Sequence, residues 1–461
     1  MEARRAANSH DPFYRRNFAL GVANGAAMQV SFTCMDPGIV LPAFFVHLMP
    51  AGGTSWWETS TFWVGLVSSL MWLGWLWPPA FIVHRIEAQH RKIPVYRLAA
   101  TWRLLFLAVL VLLSTRAGRA QPTLLASLFA AGVFLWSSGM GVAWIPFFDV
   151  VGKAIPANRR GRFFGSRRFV GGILAFCSGL LIRYLLDEER SGLLFPTGYT
   201  TVFAMAWLAT FAGVLSFIAT REPLGPVPRR PMTWGQQLRR GPRILRRDRN
   251  YRILVGVRLL SALTNLSFPF MVPFAILRLE AAEPMVGVFV AIAMVSSTTS
   301  NVLWSYVSDE QGNRRLLLLT NALGLLSPTA ILAAPHFPPQ PSWGFMGLSF
   351  TPQLLTVCVA VFLVGFARTG QFMGETNFLL DIAPARRRPT YLGLMQTCLI
   401  PMAFAPLLGA ALIGRPGDRP QHYELAFACS LIFTVLGLVL ITQLKEPRER
   451  PDSEGRRAAG G

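Results

Sequence analysis

The feature that most constrains this chain is the recurrence of apolar runs about 20 residues long, the length that crosses a bilayer core. Of its 461 residues, 52% are hydrophobic and only 15% are Asp, Glu, Lys or Arg, against about 25% charged in a typical soluble domain. The runs fall at about 18–46, 60–83, 98–115, 123–148, 164–186 and 199–220, and again at about 253–278, 284–307, 316–335, 352–378, 391–413 and 423–444. Lipid offers no partner to a free backbone N–H or C=O, so each run is expected to be helical. Pro42, Pro146, Pro269, Pro273, Pro401 and Pro406 lie inside runs. In a bundle, neighbouring helices satisfy the groups a proline frees, and the kink remains available for motion. The pattern predicts an all-α membrane protein of twelve transmembrane helices.

The net charge of +21 fits either a nucleic-acid binder or a membrane protein with basic cytoplasmic loops. The distribution separates the two. With the N-terminus placed in the cytoplasm, 34 of the 44 Lys and Arg residues fall in inner segments and 7 in outer ones. Arg167 and Arg168 are counted with the basic loop they flank, and Arg183 and Arg278 with the outer loops; Arg103, Arg258 and Arg368 lie deeper within spans. This bias obeys the positive-inside rule and places both termini on the cytoplasmic side of an inner membrane. No zinc-finger spacing or polar basic face is present, so nucleic acid is excluded as a partner. The cysteines, Cys34, Cys177, Cys358, Cys398 and Cys429, sit in apolar runs without a CxxC pair and read as small buried hydrophobes. The polar N-terminus leads into a run too long for a signal peptide, which reads as a retained span.

The expected division is a six-helix half at 1–220, a basic cytoplasmic linker at 221–252, a second six-helix half at 253–445 and a disordered cytoplasmic tail at 446–461. In the linker, Trp234, Leu238 and Leu245 could form one apolar face of an interfacial helix whose arginines meet anionic headgroups. A plain basic linker fits equally well.

The two halves resemble each other. PANRRGRFFG at 156–165 matches PARRRPTYLG at 384–393 with an offset of 228, pairing Phe163 with Tyr391. LPAFFVHL at 41–48 matches VPFAILRL at 272–279 with an offset of 231. Tyr14-Arg15 also pairs with Tyr251-Arg252. Both PAxRR copies fall on the cytoplasmic side, so the repeat is parallel, with six spans in each half.

The loop after the eighth span reads Ser305-Tyr-Val-Ser-Asp309-Glu-Gln-Gly312-Asn313-Arg314-Arg315. With the parallel duplication, it resembles the signature of the major facilitator superfamily, Gly-x-x-x-Asp-x-x-Gly-Arg-Lys/Arg. Ser replaces the first Gly and Asn the first basic residue. The loop after the second span, at 84–92, keeps Arg91-Lys92, with Glu87 as an acidic substitute. The fifth span carries Gly171-Gly172 but lacks the Gly-Pro stretch common in drug exporters of that family. The resemblance implies a secondary transporter working by alternating access. It also implies a cytoplasmic gate built from Asp309, Gly312, Arg314 and Arg315, with Asp149, Arg159, Arg160, Arg386 and Arg387 around it. At the gate, an Asp at one helix end would take hydrogen bonds from a neighbouring helix N-terminus and pair with Arg.

A charged side chain at the bilayer centre costs about 2.5–3.5 kcal/mol on insertion scales, so charges within spans mark candidate transport residues. These are Asp36, Arg368 and Glu375. The resemblance places all three near a central cavity lined by the first, fourth, seventh and tenth spans. Asp36 and Arg368 would pair across that cavity, or else both would serve the outer surface. Glu375 would carry a coupling proton or pair with a loop arginine. Asn24, Gln29, Asn265 and Gln371 add polar groups that either bind solute or hold helices together. Arg103 and Arg258, near the cytoplasmic boundary, are expected to snorkel.

The functional expectation is a monomeric secondary transporter of a small solute of unassigned identity, with proton coupling open. The alternatives are a non-transporting sensor or assembly partner on the same scaffold, or an integral membrane enzyme. The six histidines are scattered without HExxH or a His/Asp cluster, so neither catalysis nor a metal is expected. No cofactor is expected either, and without a GxxxxGK[ST] loop the chain is not an ATP-driven motor.

Overall fold

The computed structural model describes residues 13–49, 55–87, 89–156, 159–224, 234–345, 348–384, 388–414 and 422–446. In the first half, α1 (Tyr14–Cys34) and α2 (Val40–Leu48) form a broken first span, followed by α3 (Ser60–Glu87), α4 (Ile93–Ser114), α5 (Pro122–Ala154), α6 (Arg160–Leu185) and α7 (Thr197–Ile218). After α8 (Trp234–Arg247), the second half runs α9 (Arg249–Leu263), α10 (Met271–Leu279), α11 (Met285–Gln311), α12 (Asn313–Gly324), α13 (Leu326–Ala333), α14 (Pro352–Ile382), α15 (Arg388–Leu399), α16 (Ala405–Ile413) and α17 (Tyr423–Thr442). A short antiparallel hairpin, β1 (Trp343–Phe345) with β2 (Leu348–Phe350), precedes α14. Among the described residues, ten helical segments are long and apolar enough to cross a membrane. With α1–α2 and α3 at the first two predicted spans, they fit the expected twelve.

Helix starts follow local chemistry. Pro122 and Pro352 occupy first-turn positions, where a missing N–H costs nothing. Thr351 caps α14 by accepting from the Leu354 amide (3.2 Å). Asp248 caps α9 by accepting from the Tyr251 amide (3.0 Å). The first and seventh spans break at matching places. In the first, Pro37 has no N–H to give, and the Asp36 carboxylate accepts from the Gly38 amide (2.8 Å). In the seventh, two 3-10 turns, Thr264–Leu266 and Phe268–Phe270, join α9 to α10. The continuations α2 and α10 are each 9 residues long and each place a proline third, Pro42 and Pro273.

The chain falls into two compact units. The first comprises Met1–Met49, Leu70–Met232 and Val286–Ala291. Its interior packs Met28, Tyr96, Phe147, Phe163, Val214 and Phe217. The second comprises Pro50–Ser69, Thr233–Met285 and Ile292–Gly461. Within it, Trp304, Val307 and Leu316 pack with Phe366, and the Leu407 amide donates to Ser69 Oγ (3.1 Å). These bounds depart from a single cut at 221–252 in two segments, 50–69 and 286–291. Leu112, Leu208, Val302 and Val439 are exposed on the protein, as expected of surfaces that meet lipid. The linker forms a helix over Trp234–Arg247, but the side chains of Trp234 and Leu238 lie outside the described residues. So does the expected disordered tail, apart from Glu446.

Each half builds the same lock at the end of its last helix. Asn17 donates to the Arg221 carbonyl and accepts from the Arg221 amide, both at 3.1 Å. Asn250 does the same with Lys445, at 2.9 and 3.2 Å. Next to these, Phe18 packs edge-on against Phe163 (5.6 Å) and Tyr251 against Tyr391 (4.6 Å). The structure therefore pairs Asn17 with Asn250 and Phe18 with Tyr251, an offset of 233. The sequence match of Tyr14-Arg15 with Tyr251-Arg252 is corrected by four residues. The other two matches keep their register: α2 and α10 begin 231 residues apart, and α5 and α14 end 228 apart.

Candidate functional site

The second unit gathers most of the predicted transport residues into one network. Arg258 of α9 pairs with Glu375 of α14 (3.0 Å), with side chains only 12% and 7% exposed. Two expectations are corrected here, the snorkelling of Arg258 and the pairing of Glu375 with a loop arginine. Arg258 does not snorkel, and Glu375 pairs with an arginine of the seventh span rather than of a loop. The reason is geometric: both side chains turn into the bundle, where the pair offsets two desolvated charges. Ser261 hydrogen-bonds Glu375 and receives a bond from Gln371 Nε2 (2.5 Å). Arg368 donates to Asn265 Oδ1 (2.7 Å) and lies over the Phe268 ring (4.2 Å). A pocket in this unit is lined by Arg368, Gln371, Asn321, Thr320, Ser267 and Ser430, among others. The broken seventh span provides one wall, because its 3-10 turns carry Thr264 and Ser267 into the lining.

The first unit holds a different network. Asn24, 1% exposed, donates to the Gly213 carbonyl (2.8 Å) and to the Tyr96 hydroxyl (3.4 Å). Its Oδ1 accepts from Arg167 (2.8 Å), which also donates to the Gly21 carbonyl (3.3 Å). The Arg167 guanidinium stacks over Phe147 at 4.4 Å. Arg103 is 3% exposed; it donates to Met28 Sδ (3.2 Å) and hydrogen-bonds Tyr96. Its Nε has no partner. Snorkelling is therefore wrong for Arg103 as well. Two glycines make this arrangement possible. A Cβ on Gly139 would stand 2.6 Å from Arg103 Cγ, and one on Gly25 would collide with the Arg167 stem. Arg167 had counted as a flank of a basic loop, and only its hydrogen bonds reveal that it turns inward.

Asp36 lies in the first unit and Arg368 in the second, each with the local partners described above. Gln29 packs in the first unit, where a Cβ on Gly171 would meet its Cβ at 3.1 Å.

At the loops expected to form the gate, Gly312 takes a left-handed φ of +84°. The Arg314 amide donates to Glu446 (2.8 Å) and its guanidinium to the Thr442 carbonyl (3.0 Å). Asn313, at the signature's first basic position, donates to Asp381 (2.7 Å) and accepts from Ser308 (2.7 Å), which in turn accepts from Asn377 (3.1 Å). Asp309 ends α11 among these residues, and Arg315 is exposed. In the first half Asp149 pairs with Lys153 one turn on, and Lys153 also reaches Glu222 (3.2 Å). Arg160 caps the end of α5 through the Gly152 and Ile155 carbonyls (2.5 and 3.2 Å), while Arg159 is exposed. Arg386 and Arg387 lie outside the described residues.

Sequence reasoning missed Asp381, Glu222 and Glu446. Glu222 accepts from the amides of Lys92 (2.8 Å) and Ile93 (2.9 Å), placing a carboxylate on the N-terminus of α4. Glu446 does the same for α12 through Arg314. Their signal was present in the sequence: Arg221-Glu222-Pro223 recurs as Lys445-Glu446-Pro447, an offset of 224.

The model of the Major Facilitator Superfamily matches residues 254–461. Among solved structures, the chain is similar to the xylose transporter XylE from E. coli in a partially occluded inward open conformation. That likeness has a TM-score of 0.68 and 12% identity, covering 95% of this chain and 99% of the other. It is also similar to a bacterial homologue of the iron transporter ferroportin in the inward-facing state. Here the TM-score is 0.67 at 13% identity, with 93% and 98% covered. The outward-facing structure of a bacterial ferroportin homologue gives 0.60 at 14% identity, with 93% and 99% covered. No curated protein matches the chain.

Proposed function

We propose that the chain is a secondary transporter of the major facilitator type, moving a small polar solute by alternating access; the family model over residues 254–461 and the likeness in fold support this reading. It is a multi-pass membrane protein, and the arginine distribution supports a cytoplasmic membrane with both termini inside. The observation that carries the reading is the buried Arg258–Glu375 pair beside the pocket that holds Arg368 and Gln371. Ionisable groups this deep in membrane helices mark solute or proton paths. Glu375 keeps one oxygen, Oε1, without a partner, so it can take up a proton without first losing the Arg258 bond at Oε2. The broken first and seventh spans support the reading too, since helix breaks place backbone polar groups where a solute can use them. The gate residues at Asp309–Arg315 join α11 to α12, and through Glu446 to the end of α17. That arrangement suits a loop that must re-form during each cycle.

The test is solute flux in proteoliposomes of the full chain, driven by an imposed solute or proton gradient without nucleotide. A small-solute panel should contain at least one compound that crosses faster than in protein-free vesicles. Arg368→Gln and Asp36→Asn should slow that flux. If both variants retain wild-type rates, the two residues play no part in transport.

A further inference from the structure

The repeat registers bring two arginines into correspondence. In the second half, Arg258 meets Glu375. Offsets of 233 for the first and seventh spans and 228 for the fourth and tenth assign Gly25 to the place of Arg258 and Phe147 to that of Glu375. In the first half, Arg167 arrives from α6, lies across Gly25 and stacks on Phe147. A guanidinium thus occupies comparable ground in both halves, but among the described residues the second half alone supplies it with a carboxylate.

The first half adds a second cation. Arg103 is linked to Arg167 through Tyr96 and Asn24. Among the described residues, neither arginine has an acidic partner: their contacts are carbonyls, an amide oxygen, a phenol, a thioether and a ring. Arg167 stands seven residues into α6 and Arg103 ten into α4, about 10 and 15 Å along their helix axes. Arginine at such depth is costly without a counter-charge. Both keep donor capacity for an oxyanion, since a guanidinium has five N–H groups, and Arg103 Nε has no partner at all.

We infer that the transported solute carries an oxyanion, a carboxylate or a phosphate, and that Arg167 and Arg103 bind it where the second half uses its own Glu375. This rests on the transporter reading and narrows its substrate to anionic solutes. Asn24 and Tyr96 hold the two guanidinium groups in place. Phe147 offers Arg167 a face but no formal charge, so a solute anion is not displaced by a fixed one.

The test measures thermal unfolding of the full chain, purified in phospholipid-free detergent, with sodium phosphate or sodium succinate against sodium chloride at equal ionic strength. At least one oxyanion should raise the midpoint saturably, by about 3–6 °C at high occupancy; which of the two succeeds separates phosphate from carboxylate. Arg167→Gln and Arg103→Gln should abolish the rise, whereas Arg162→Gln, exposed on the same helix, should keep it. Phe147→Glu should raise the midpoint without any anion and remove the response, and Phe147→Gln should not raise it. The inference is overturned if neither oxyanion acts, if Arg167→Gln responds like wild type, or if added phosphatidylglycerol alone reproduces the effect through Arg167. If a neutral solute is transported and anions are ignored, the transporter reading stands and this inference fails. If oxyanions stabilise the protein through Arg167 but nothing crosses the vesicle membrane, the anion site stands and the transporter reading fails.

Discussion

At corresponding positions, the second half sets Glu375 against Arg258, while the first sets Phe147 beneath Arg167. The same helices provide the framework, and the same kind of cation is present. In one half the counter-charge is covalent and permanent. In the other, no described residue supplies one, and the inferred source is the solute. Duplication therefore preserved the scaffold while the two polar interiors diverged. The start of the first helix and the end of the last helix in each half show the opposite outcome, with Asn17–Arg221 and Asn250–Lys445 making the same double hydrogen bond. Locks that hold helix ends were retained in both copies, while residues within the bundle were free to take separate roles.

The largest expected effect comes from breaking the buried Arg258–Glu375 ion pair of the second half. Glu375→Gln leaves Arg258 buried and uncompensated, which should cost about 3–5 kcal/mol, read as a lower unfolding midpoint. Combining it with Arg258→Gln should recover much of that loss; an undiminished loss in the double variant would show that the pair is not the unit.

Next come the carboxylates on the helix N-termini. Glu222 serves two amides and Lys153, while Glu446 serves one amide. Glu222→Gln should therefore destabilise more than Glu446→Gln, by about 1–2 kcal/mol. Equal losses would mean that neither the second amide nor Lys153 adds anything.

Asn17→Ala and Asn250→Ala each remove two hydrogen bonds, and each should lose about 1–2 kcal/mol. The duplication predicts near-equal values. A ratio above about three, beyond the usual context dependence of single hydrogen bonds, would break the equivalence.

The smallest effect is at the aromatic pair. Tyr391→Phe removes one bond to Asp248 (3.1 Å) while keeping the ring on Tyr251, so its loss should stay near 0.5–1.5 kcal/mol, roughly one hydrogen bond. Phe163→Tyr in the first half should gain nothing comparable, because at the offset of 233 the place of Asp248 falls to Arg15, which carries no carboxylate.

The span pattern and the duplication were legible because bilayer length and backbone satisfaction leave few alternatives, and because Pro42/Pro273 and Phe163/Tyr391 keep fixed offsets. The gathering of Arg368, Asn265, Gln371 and Glu375 was partly legible, since all four are polar residues within apolar runs. Arg167 was not. It sits beside a basic loop, and only the missing Cβ of Gly25 lets it turn inward. Arg103 and Arg258 misled for a related reason: helical rise gives depth, but not which face of the helix a long side chain takes. Asp381 was hidden because the residue at the same offset in the first half is Lys153, of opposite charge and with different partners.

The central claim is that a solute anion does in the first half what Glu375 does in the second. The most direct measurement is flux of labelled succinate and phosphate into proteoliposomes containing wild type or Phe147→Glu. The account predicts that the variant is at least as stable as wild type and that its oxyanion flux falls to the protein-free level. Wild-type flux through a folded Phe147→Glu protein would contradict it.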